Sequence, residues 1–161
     1  MPGHELPILL VRHAIAEDKH PLGDESRGLT PEGRAAFRKH ARKLAQLTPL
    51  IGILTSPLVR AVQTAELLAE AFGLSRIEVH PALLPREQAH KRIVKLAREA
   101  GPGWALVGHN PGLKRAGELA LGEAPPGKLR KGAVLALQLD GKHFGLSWFA
   151  APGRSVLRPR S

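Results

Sequence analysis

Four short runs rich in apolar residues each give way to a stretch with helical spacing, and this alternation constrains the fold more than any other feature. The runs are ILLV (8–11), IGILT (51–55), IEV (77–79) and WALVG (104–108). A strand that is apolar at every position, rather than at every second one, suits a parallel sheet covered on both faces. Over residues 30–47, Thr30 reads as a helix cap and Pro31 takes the first helical position, where its missing N–H costs nothing. Phe37, Ala41, Leu44 and Leu47 then recur along one face. A second helix is expected over 56–73, with Ser56 as cap, Pro57 at the first position and Gly73 as the stop. Two more are expected over 89–101 and 113–122, ended by Gly101 and Gly122. The segment 132–149 reads as a hairpin turning at Asp140–Gly141. Together these elements predict an α/β fold: a mostly parallel sheet with helices on both faces. The 161 residues suit one domain, 1–161, with 124–132 a loop. The basic tail, from about 150 to 161, reads as a surface loop or a partly disordered segment.

Composition narrows the function classes. No apolar run approaches the roughly 18 residues of a membrane helix, and MPGHELP does not open like a secretory signal. The absence of cysteine removes disulfides and thiolate metal sites and fits a reducing, cytoplasmic setting. The 24 Lys+Arg against 14 Asp+Glu give a formal charge of +10, which attracts anions in general. A non-enzymatic module that binds nucleic acid or phosphate is the remote alternative, and its nucleic-acid form is the one the charge suggests. It is disfavoured by 2 Trp, 4 Phe and no Tyr, because single-strand platforms interleave aromatic with basic residues.

In open α/β sheets, ligands bind beyond the carboxyl ends of the strands. Arg12 and His13 follow the first apolar run, Arg60 lies about one turn into the helix after the second, and His109 follows the fourth. Two guanidiniums and two imidazoles on one rim, beside helix N-termini, suit a tetrahedral, multiply charged oxyanion.

The motifs LVRHA (10–14), LTPEG (29–33), SPLVRAVQTAE (56–66) and GHNP (108–111), in this order, resemble the histidine phosphatase superfamily. The resemblance runs from Ile8 to about Trp148 and implies the three-layer α/β/α sandwich of the phosphoglycerate-mutase-like fold. It implies that His13 is a transiently phosphorylated nucleophile and that Arg12, Arg60 and His109 hold the phosphoryl oxygens. The short chain resembles the compact SixA-like branch, which removes phosphate from protein phosphohistidine; a histidine-phosphorylated protein is then the expected partner. Ala14 stands where the superfamily usually has glycine. In other branches a carboxylic acid after the third strand protonates the leaving oxygen. Here residues 82–86 contain no carboxylate, and Glu87 is the nearest candidate general acid. A small-molecule phosphomonoesterase using Glu87 is the alternative activity. No metal or cofactor is expected, and no His-Glu-x-x-His element occurs.

The remaining polar residues have simpler readings. His4, His20, His40, His80, His90 and His143 are taken as solvated or structural, with His40 on a solvated face among Arg38, Lys39, Arg42 and Lys43. Glu17 is read as an exposed loop carboxylate, and Asn110 as capping the turn before Pro111. Helix initiation accounts for Thr30, Pro31 and Gly33, packing for Gln63 and Thr64, and capping for Ser56.

Overall fold

The computed structural model describes residues 5–160; His4 lies outside them. The elements follow in the order β1 (Ile8–Arg12), α1 (Pro31–Leu47), β2 (Gly52–Thr55), α2 (Val59–Phe72), β3 (Glu78–Val79), α3 (Ala89–Ala100), β4 (Trp104–Gly108), α4 (Gly112–Leu121), β5 (Val134–Asp140) and β6 (His143–Ala150). Two short 3-10 turns, Asp24–Ser26 and Pro81–Leu83, lie between them.

One six-stranded sheet has the order β3-β2-β4-β1-β5-β6. β3, β2, β4 and β1 are parallel, and β5 and β6 add an antiparallel hairpin. The apolar runs explain the layers. Along β1, Leu9 and Val11 point to one face and Ile8 and Leu10 to the other. The first face packs on Phe37, Ala41 and Leu44 of α1 and on Ala61, Ala65 and Leu68 of α2. The second packs on Ile93 and Ala97 of α3 and on Leu113 and Ala116 of α4. All of these side chains are buried, which gives the three-layer sandwich the pattern predicts.

Helix boundaries show where local chemistry decides. Thr30 caps α1, its Oγ1 accepting from the Gly33 amide at 2.9 Å. Gly73 stops α2 in the left-handed conformation, φ +71°. Ser56 does not cap α2. The helix begins at Val59 after Leu58, which is extended, and Pro57 lies outside it. The segment after β6 is pinned rather than loose: Leu157 pairs with Phe149 through two backbone bonds of 2.8 Å. His40 is buried, contrary to the solvated-face expectation. It sits edge-on to Phe37 at 6.1 Å, whereas Lys39, Arg42 and Lys43 beside it are exposed.

Candidate active site

Register builds the site. Arg12 pairs with Gly108 across β1 and β4, and Thr55 pairs with Val107 across β2 and β4. The three strand ends are therefore level, and the residues that follow them, His13, Ser56 and His109, emerge on one rim. The turn after β1 is held on both sides. The His13 amide donates to the Gly108 carbonyl, and the Gly132 amide donates to the carbonyls of Arg12 and His13, all at 3.0 Å.

His13, Arg60 and His109 are buried, and the two imidazoles lie 5.3 Å apart between centroids. His13 Nδ1 is 2.7 Å from the Ala14 carbonyl oxygen. A carbonyl can only accept, so Nδ1 carries the proton and Nε2 keeps its lone pair. Burial pushes the His13 pKa down to about 4; the Ala14 bond opposes this, and the charges of Arg60, Arg12 and Lys131 lower it further. Burial also brings His109 down to about 3, aided by His13 and Arg60. Both rings are thus neutral near pH 7. Burial is the larger cause for His13 and the neighbouring arginines the smaller one.

Arg12 and Arg60 are anchored through their Nη atoms and His109 through Nε2. Arg12 Nη1 donates to the Leu129 carbonyl at 3.2 Å. Arg60 Nη1 donates to the Asp24 carbonyl at 3.0 Å, and Nη2 meets the Asp24 carboxylate at 3.3 Å. Arg27 holds the same carboxylate from its other side at 2.9 Å. His109 Nε2 lies 2.8 Å from Ser56 Oγ. Among the described residues, Arg12 Nε, Arg60 Nε and His109 Nδ1 are buried without a partner. Unpartnered buried N–H groups are costly, and an oxyanion is a ligand that satisfies several at once.

The structure thus brings together four of the five residues singled out: Arg12, His13, Arg60 and His109. Glu87 is exposed in the turn before α3 and lines a cavity of about 400 Å³ that reaches His109. Among the described residues no three His, Asp or Glu gather as a metal-binding set.

Other residues gain roles that the sequence did not suggest. Ser56 holds His109. Thr64 accepts from the Ala14 amide at 3.0 Å and donates to the Arg60 carbonyl at 2.8 Å, so it ties the two halves of the site together. Gln63 accepts from the Leu29 amide at 2.7 Å, so both residues act through hydrogen bonds and not through packing alone. Asn110 does not cap its turn; its Nδ2 donates to Leu129 at 3.0 Å, joining Arg12 on one carbonyl. Glu17 is exposed as expected, and its carboxylate accepts from the Gly28 amide.

A family model described as the histidine phosphatase superfamily (branch 1) matches residues 8–99, which span β1 through most of α3. The chain belongs to this superfamily. An uncharacterized protein of Picosynechococcus sp. (strain ATCC 27264 / PCC 7002 / PR-6) is 36% identical over 140 residues, covering 83% of this chain and 85% of that protein. The SixA structure of Agrobacterium tumefaciens is 27% identical, with a TM-score of 0.76 over 92% of this chain and 99% of that one. The structure of the protein histidine phosphatase SixA complexed with tungstate shares the fold, with a TM-score of 0.79 at 24% identity, covering 91% of this chain and 97% of that one. Like these histidine phosphatases, the chain is a phosphatase of the phosphoglycerate-mutase-like fold.

Proposed function

We propose that this phosphatase works through a phosphohistidine on His13 and that its substrate is protein phosphohistidine. The observation that carries the mechanism is the 2.7 Å contact of His13 Nδ1 with the Ala14 carbonyl, which leaves Nε2 as the free lone pair. Nε2 attacks phosphorus, the P–N bond of the substrate breaks, and its electron pair leaves on the substrate nitrogen. Water then attacks the His13 phosphoryl group, releasing phosphate and restoring the neutral ring. Arg12, Arg60 and His109 supply donors to the equatorial oxygens, where negative charge is spread in the transition state.

The leaving group supports the substrate reading. Phosphohistidine protonated on its other ring nitrogen departs as neutral imidazole, whose conjugate acid has a pKa of roughly 6.5. An alkoxide needs a general acid. The likeness to SixA structures points the same way.

One observation favours a second reading. Among the described residues, Glu87 is the only carboxylate lining the cavity beside His109, and from there it can serve as general acid for a small phosphomonoester. Turnover of a phosphohistidine peptide, an aryl phosphate and an alkyl phosphate by wild type and Glu87→Gln separates the two. Phosphohistidine and aryl phosphate turnover well above alkyl turnover, unaffected by Glu87→Gln, is expected. Efficient alkyl phosphate hydrolysis that requires Glu87 would replace the first reading with the second.

A further inference from the structure

The cavity that reaches His109 carries more positive character than the removal of a single phosphoryl group explains. Helices α3 and α4 both begin on its wall, at Ala89 and Gly112, and neither has a side-chain cap on its first turn. Two uncapped helix N-termini present partial positive charge to one space. Arg86 and Arg115 line the same space, and neither has a carboxylate within 4.0 Å among the described residues, although Glu87 lines it too. His109, almost wholly buried, lines the cavity and forms its boundary with the phosphoryl site. The cavity meets the catalytic rim at His109, and its volume of about 400 Å³ admits more than a phosphoryl group.

We infer that this cavity is a second anion subsite, in which Arg86 and Arg115 bind a carboxylate carried beside the phosphorylated histidine of a protein substrate. The inference rests on the proposed phosphohistidine activity and adds a sequence preference to it: acidic residues flank the target histidine. The cationic walls and the formal charge of +10 complement such a segment. An arginine pair takes a carboxylate with directed hydrogen bonds, where a lysine would act as a point charge. A carboxylate on a small phosphorylated acid shares this chemistry, so the test includes one.

The experiment compares kcat/KM for two phosphohistidine peptides, one with glutamate and one with glutamine beside the phosphorylated residue, in wild type and in Arg86→Gln/Arg115→Gln. Wild type should prefer the glutamate peptide by roughly three- to tenfold, mainly through KM, and the preference should shrink in high salt. In the double variant the ratio should fall to about one. A ratio cancels any general loss of folding or activity. No preference in wild type, or a preference that survives in the double variant, overturns the subsite. Wild-type turnover of phosphoimidazole, which has no second anion, reports separately on the underlying activity. If phosphoimidazole is cleaved and the ratio is flat, only the subsite fails; if it is not cleaved, the phosphohistidine reading fails and the subsite falls with it. Arginine-dependent turnover of 3-phosphoglycerate in place of the peptide preference would assign the cavity to small acids and overturn the protein source.

Discussion

Lowering the pH should unfold this protein before it silences its nucleophile. His13, His40 and His109 are buried and neutral, with pKa values pushed down to about 4, 4 and 3, burial being the first cause for each. In the unfolded chain each titrates near 6.5. Above that value both states are neutral and the three rings add no pH dependence. As pH falls from about 6.5 toward 4, the unfolded state takes up protons that the folded state refuses, so stability is lost in that window. At about pH 5 each ring favours unfolding by roughly 2 kcal/mol, and the three together by roughly 6 kcal/mol. That is comparable with the whole stability of an ordinary domain, about 5–15 kcal/mol. His40 isolates the effect because it lies on α1, outside the catalytic rim, and its Nε2 has no partner among the described residues. His40→Leu should therefore cut the stability lost between about pH 7 and pH 5 by about 2 kcal/mol. Urea unfolding at both pH values measures this. In the same window the acid limb of activity should move to lower pH in the variant, since the limb tracks folding rather than His13. An equal pH loss in wild type and His40→Leu would refute a neutral, buried His40.

Three further outcomes follow from the geometry. Arg60→Ala and His109→Ala should each lower kcat by on the order of a hundredfold, about 3 kcal/mol, and weaken vanadate binding in a competition assay. Glu87→Gln should leave phosphohistidine turnover within about twofold of wild type in steady-state kinetics. Gly33→Ala should lower stability by about 1–3 kcal/mol in urea unfolding, because a Cβ at this position runs into the Ile15 carbonyl oxygen.

The strand ends were legible because a parallel strand buried on both faces writes itself as an unbroken apolar run. Whatever follows such a run in this fold faces the ligand, so Arg12, His13 and His109 could be picked out one by one. Arg60 was legible through its helical offset from β2. Asp24 was not, because it lies on a short turn between β1 and α1, and only the folded chain brings it to Arg60. The Leu129 carbonyl is a backbone group and leaves no residue signal, yet it anchors both Arg12 and Asn110. Ser56 stood inside a recognised motif, but a serine before a proline and a helix invites a capping explanation; its partner, His109, is 53 residues away. His40 misled through its neighbours: four flanking cations describe the helix surface, whereas the ring at position 40 shares the buried side with Phe37, Ala41 and Leu44.

The central claim is that His13 Nε2 becomes phosphorylated during turnover. Rapid-quench incubation with a phosphohistidine peptide, followed by peptide mass spectrometry under alkaline conditions, tests it most directly. The account predicts an acid-labile, base-stable phosphoryl group on the peptide containing His13, formed and lost at rates consistent with turnover, and absent in His13→Ala, which should be inactive. Turnover with no phosphoryl group on His13 at any quench time, or full activity in His13→Ala, would contradict it.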